Sequence, residues 1–100
     1  MKHKETKATA ISQEVKIKVW LRDQGRCIIC GAPGLPEAHF IRRSQGGLGI
    51  PENIVTLCRP CHYEFDEGKK HTEYKIKIRD YLDRFYPDFA DYDRIYHKHK

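Results

Sequence analysis

Cys27-Ile-Ile-Cys30 and Cys58-Arg-Pro-Cys61 are two knuckles of identical spacing, separated by 27 residues, and together they use all four cysteines of the chain. Each can offer two thiolates to one tetrahedral ion, which is how a structural zinc site is built. Three other readings compete. A redox CxxC belongs in a thioredoxin-like βαβ setting, and neither pair has one. Cys58-Arg-Pro-Cys61-His62 also spells the haem-attachment pattern CxxCH, but that leaves Cys27 and Cys30 unexplained. His62 could instead replace one cysteine as a zinc ligand. Structural zinc on Cys27, Cys30, Cys58 and Cys61 leaves nothing over and is the reading adopted.

The remaining residues with chemical potential are ordinary when taken singly. His39, between Ala38 and Phe40, reads as a packed histidine; Asn53, after Pro51-Glu52, as a turn residue; His62 as a helix-start residue beside the cysteines. His3, His71, His97 and His99 are expected to have no special role, and Trp20 is expected in the core. What changes the weighting is their order and the elements that must hold them.

Residues 1–10 have no hydrophobic period and read as a flexible basic arm. Ser12 is a good N-cap for a helix running to about Asp23, with Val15 and Val19 stacked at i,i+4 and Ile11 closing its entry. Gly31 suits the tight turn after CIIC, where a positive φ would strain any residue with a Cβ. Glu37–Arg43 and Asn53–Cys58 read as strands, joined through the loop SQGGLGIPE into a hairpin with a wide turn. Pro60 fits the first turn of a short helix to about Glu67. A longer helix from about Thr72 to Tyr86 carries Tyr74, Ile78, Tyr81, Leu82 and Phe85 on one stripe, and Pro87 ends it. Residues 87–100 form an aromatic and basic tail that could add one anchored turn. The expected domain therefore spans residues 11–86, with the arm before it and the tail after it.

In this order, CIICG, EAHFIRRSQGGLGI, PENIVTLC and CRPCHYEFD resemble the zinc-containing HNH endonucleases, and small phage and prophage members are the nearest likeness. The resemblance covers about Val15 to Gly68. It implies an α+β fold: a small ββα-metal domain with a four-cysteine zinc site and flanking N- and C-terminal helices. It also implies a hairpin and helix that hold one catalytic ion and enter the minor groove of DNA. By position, His39 takes the place of the general base, Asn53 that of the middle asparagine, and His62 that of a metal ligand. A neutral imidazole with a pKa near ~6.5 can take a proton from water, and an asparagine can orient it. Mg²⁺ or Mn²⁺ would offset charge on the phosphate and on the leaving O3′, giving 5′-phosphate and 3′-hydroxyl ends. Arg42 and Arg43, beyond His39 on the same strand, are candidates for phosphate contacts.

One position departs from the family pattern. The metal-binding Asp or His that precedes the general base falls at Ala38, which cannot bind metal. Asp66, at i+4 from His62 on a short helix, is the leading substitute; Glu37, on the same strand face as His39, is the second.

The charge distribution fits a polyanionic partner. Residues 1–33 carry seven Lys or Arg against three acids, residues 34–68 three against five, and residues 69–100 nine against six, for a net charge of +5. Basic ends thus flank a slightly acidic middle, although solvated surface charge would look the same. No apolar run approaches the ~20 residues of a membrane span. Cysteines used for metal and the lack of a secretory pattern point to the cytoplasm. A nucleic-acid-binding module without catalysis, and a subunit of a phage packaging or recombination machine, are the alternatives to an endonuclease.

Overall fold

A computed structural model describes residues 4–97, in the order α1 (Lys4–Thr9), α2 (Gln13–Arg22), β1 (Leu35–His39), a 3₁₀ turn (Arg43–Gln45), β2 (Ile54–Leu57), α3 (Arg59–Asp66), α4 (His71–Phe85) and a second 3₁₀ turn (Asp91–Arg94). His3 and His99, with residues 1–3 of the arm and 98–100 of the tail, lie outside the described residues. Local signals place the helices well. The Ser12 hydroxyl accepts the Val15 amide at 3.1 Å and starts α2. Pro60 sits in the first turn of α3, where its missing N–H costs nothing. Gly31, at φ +83°, closes the knuckle by donating its amide to the Cys27 carbonyl at 2.9 Å.

β1 and β2 pair antiparallel, with Ala38 opposite Val55 and His39 opposite Ile54. The register shifts between Leu35 and Ala38, a bulge that adds local twist. Alternation along β1 buries Pro36 and Ala38 and leaves Leu35 and Glu37 exposed, with His39 half-buried on their side. All of β2 is buried. The hairpin is followed by α3, giving the expected ββα unit. Its core of Ala38, Phe40, Val55, Leu57 and Phe65 is closed by Tyr74, Ile78 and Leu82 of α4.

Four expectations differ from the fold. β1 ends at His39 rather than Arg43, because Arg42 and Arg43 turn into the first 3₁₀ segment. Residues 4–9 are helical, although their sequence has no apolar period: α1 is held by backbone contacts to the Gly-rich loop, such as Gly49 N–H to the Ala8 carbonyl at 2.9 Å. Trp20 is 48% exposed and lines an outer apolar cleft with Ile17, Leu21 and Leu35, because Val19 takes the buried face of α2. The tail also folds back. Leu48 N–H donates to the Arg94 carbonyl at 2.8 Å and Tyr96 N–H to the Gly46 carbonyl at 2.8 Å. No helix among the described residues is long and apolar enough to cross a membrane.

Candidate active site and metal centre

The knuckle after α2 brings Cys27 and Cys30 to the junction of β2 and α3, where Cys58 and Cys61 stand. The four Sγ atoms all lie within 4.8 Å of one another, and Cys30 Sγ is 3.5 Å from Cys58 Sγ. A zinc–sulfur bond of ~2.3 Å implies tetrahedron edges of ~3.8 Å, so the four thiols could hold a zinc ion. The electrostatics have the same sense. Burial raises the Cys27 thiol, but backbone hydrogen bonds from Cys58, Cys30 and Ile29 outweigh it and bring it down to about 7. Burial, and then hydrogen bonding to its fellow cysteines, pushes Cys61 well up. One thiolate thus opposes the next, and a dication at the centre removes that opposition.

His39, at the end of β1, and His62 with Asp66, on one face of α3, line a single open cleft with Glu37, Arg42, Arg43 and Ser44. Its volume is about 320 Å³. His62 Nε2 stands 3.0 Å from Asp66 Oδ2, the pairing that i,i+4 spacing allows. An imidazole and a carboxylate are a nitrogen and oxygen donor set compatible with a divalent cation. Among the described residues, only the four cysteines form a group of three or more His, Cys, Asp or Glu with ligand atoms that close together. Glu37 borders the cleft, but its Oε2 pairs with Lys16 Nζ at 3.3 Å. Ala38 points the other way, fully buried in the core.

His39 Nε2 lies 2.8 Å from the Thr9 carbonyl oxygen. A carbonyl can only accept, so Nε2 carries the ring proton in that bond. Burial is the largest influence on the ring and pushes it below the ordinary histidine range; the Thr9 carbonyl opposes this and Arg43 reinforces it. The imidazole is therefore neutral at neutral pH and able to accept a proton.

Asn53 does not touch His39. It is fully buried, and its side chain accepts from Ile41 N–H at 2.9 Å and donates to the Ile41 and Leu48 carbonyls at 3.1 and 2.9 Å. Its backbone carbonyl takes the Phe40 amide at 2.7 Å. The asparagine pins the loop that follows His39 rather than the ring itself. Arg42 and Arg43 border the cleft from that loop, not from the strand. Arg42 donates to the Asp66 carbonyl at 2.7 Å, and Arg43 to Thr9 Oγ1 and the Thr6 carbonyl, each at 3.3 Å.

Three supporting groups were not foreseen from the sequence. The Thr9 carbonyl gives no sequence signal, since every residue has one. Arg22 and Asp23 form a half-hidden node: Asp23 accepts from Thr56 N–H at 2.9 Å and from Tyr81 Oη at 2.6 Å, while Arg22 donates to the Pro51 and Ile54 carbonyls, each at 2.7 Å. Arg94 is 1% exposed, donates to the Glu52 carbonyl at 2.7 Å, and lies over the Phe40 ring. An Arg-Asp pair at a helix end was the one available hint. Of the other histidines, His71 stacks on Phe65 and His97 on Tyr92, both away from the cleft.

No curated protein and no solved structure matches the chain. Residues 27–73, which run from the first cysteine knuckle through the hairpin and α3 into α4, match the family model described as HNH endonuclease.

Proposed function

We propose that this chain is a metal-dependent endonuclease that hydrolyses DNA phosphodiester bonds, with His39 as the general base. The observation that supports this most is one cleft bordered by a neutral, half-buried imidazole, a His62–Asp66 pair and two arginines. HNH nucleases act on DNA, and the chain's +5 charge suits that partner. His39 takes the proton of the attacking water. Arg42 and Arg43 hold the phosphate, their remaining N–H groups being donors that suit its oxygens. Asn53 acts by fixing the loop on which both arginines are carried. His62 and Asp66 would hold Mg²⁺ or Mn²⁺, which when bound would neutralise charge at the scissile phosphate and leaving oxygen. Zinc on the four cysteines would serve structure alone.

The assay is plasmid nicking with Mg²⁺ or Mn²⁺, for the native protein and for His39→Ala with its zinc content verified. The native protein is expected to nick, and the variant to be slower by at least about a hundredfold, the usual contribution of a positioned base. Equal rates would remove His39 from the chemistry. A zinc-stapled nucleic-acid-binding module is the second reading, favoured by the buried Ala38, which withholds a ligand from the cleft. Retained DNA binding with no nicking by either protein is its outcome.

A further inference from the structure

The HNH span begins at Cys27, yet the group bonded to its candidate base comes from Thr9, at the end of α1. This contact is anchored on several sides. Thr9 is 3% exposed, and its hydroxyl donates back to the Glu5 carbonyl at 2.9 Å while accepting from Arg43 Nε at 3.3 Å. Arg43 Nη2 reaches the Thr6 carbonyl. On the other side the Ala8 carbonyl accepts the Gly49 amide, and Gly49 lies so close that a Cβ there would run into the Ala10 carbonyl. The last turn of α1 is thus held between the loop that carries Arg43 and the Gly-rich loop, with the Thr9 oxygen turned to His39.

The geometry points to α1 as a positioning strap for the base: the Thr9 carbonyl holds the His39 proton on Nε2, leaving Nδ1 as the lone pair that accepts the proton from water. This rests on the general-base reading above. A neutral imidazole free of such a partner divides its proton between both nitrogens, and only one of the two tautomers has the accepting atom in the required place. The carbonyl supplies that selection without entering the reaction. Arg43 couples the strap to the cleft, since one guanidinium touches both.

The test uses the full-length protein. Gly49→Ala pushes the Ala8–Ala10 segment off the loop without altering any side chain of the cleft; Thr9→Val keeps the shape of Thr9 but removes its hydroxyl, and serves if Gly49→Ala does not fold. Ring ¹⁵N shifts of labelled His39 are read beside single-turnover cleavage. The native ring is expected to show protonated Nε2 and bare Nδ1. Each variant that releases the strap is expected to show a tautomer mixture and, with DNA fully bound, a cleavage rate lower on the order of tenfold, as when an imidazole loses an orienting partner. A native ring already mixed or protonated on Nδ1 overturns the proposal, as does a variant with mixed tautomers and an undiminished rate. If His39→Ala cleaves like the native protein, the general-base reading fails, while the nitrogen shifts still decide whether the strap holds the ring.

Discussion

Asn53 shows how one side chain can serve a site it does not touch. Its amide has one acceptor and two donors in use, all directed at backbone groups of the loop that follows His39, and its burial leaves water unable to replace them. Truncation to alanine would strand the Ile41 amide and the Ile41 and Leu48 carbonyls. Losses of this kind cost about 1–3 kcal/mol for each unmatched group, less where the loop relaxes, so Asn53→Ala is expected to destabilise the fold by roughly 2–4 kcal/mol. Urea unfolding would check this; a midpoint unchanged from the native protein would contradict it. Its position in an ordered pattern marked Asn53 as a candidate, but nothing in that pattern named its partners. Residue type limits what a side chain can bond, and main-chain atoms, which carry no signature, supply the other half of most bonds here. His62 and Asp66 were the opposite case: two side chains at helical spacing, whose meeting at 3.0 Å follows from α3 alone.

Three of the four helices were legible nearly to the residue, because caps and stop signals are local: Ser12 before α2, Pro60 in α3, Pro87 after α4. α1 was not, since a tertiary contact to the Gly-rich loop holds it. The strands were legible in number and order but not in length. β1 stops at His39 because Asn53 takes the next backbone groups for the loop, a tertiary event. The C-terminal turn was legible in outline only, since its anchor is a buried arginine. Asp91 accepts from Arg79 at 2.7 Å and from Arg94 at 3.0 Å, bridging α4 to the tail. The Arg79 hydrogen bond, opposed by burial, holds the Asp91 carboxyl below its ordinary range. A carboxyl depressed on folding contributes stability that is present above its unfolded value, near ~3.9, and is lost as pH falls through the folded one. In thermal melts, the native protein should therefore exceed Asp91→Asn at neutral pH, with the gap closing progressively as pH falls below the unfolded carboxyl value of ~3.9. A gap that stays constant through the whole acid range would separate Asp91 from the acid response.

At the scale of the molecule, the four cysteines join α2, the hairpin and α3 at one point, and Cys27, Cys58 and Cys61 belong to the same core cluster that holds Phe65 and Ile78, with Cys30 exposed beside them. Metal bound there adds to folding directly, because the unfolded chain has no such cluster. Removal of zinc by a chelator is expected to lower the melting midpoint by roughly 4–8 °C for each kcal/mol withdrawn, for a chain of this size. Released zinc should be close to one ion per chain, and a melting curve indifferent to chelation would assign the cluster no structural role. The Arg22–Asp23 node and Arg94 have a different consequence. Asp23 serves the Thr56 amide from before the matched HNH span, and Arg94 lies over Phe40 from beyond it. The stretch that carries the nuclease pattern is therefore narrower than the unit that must be moved intact. A graft of residues 27–73 into another scaffold would carry the pattern without its bracing, so the transplantable cassette runs from α1 to the bridge at Ile95.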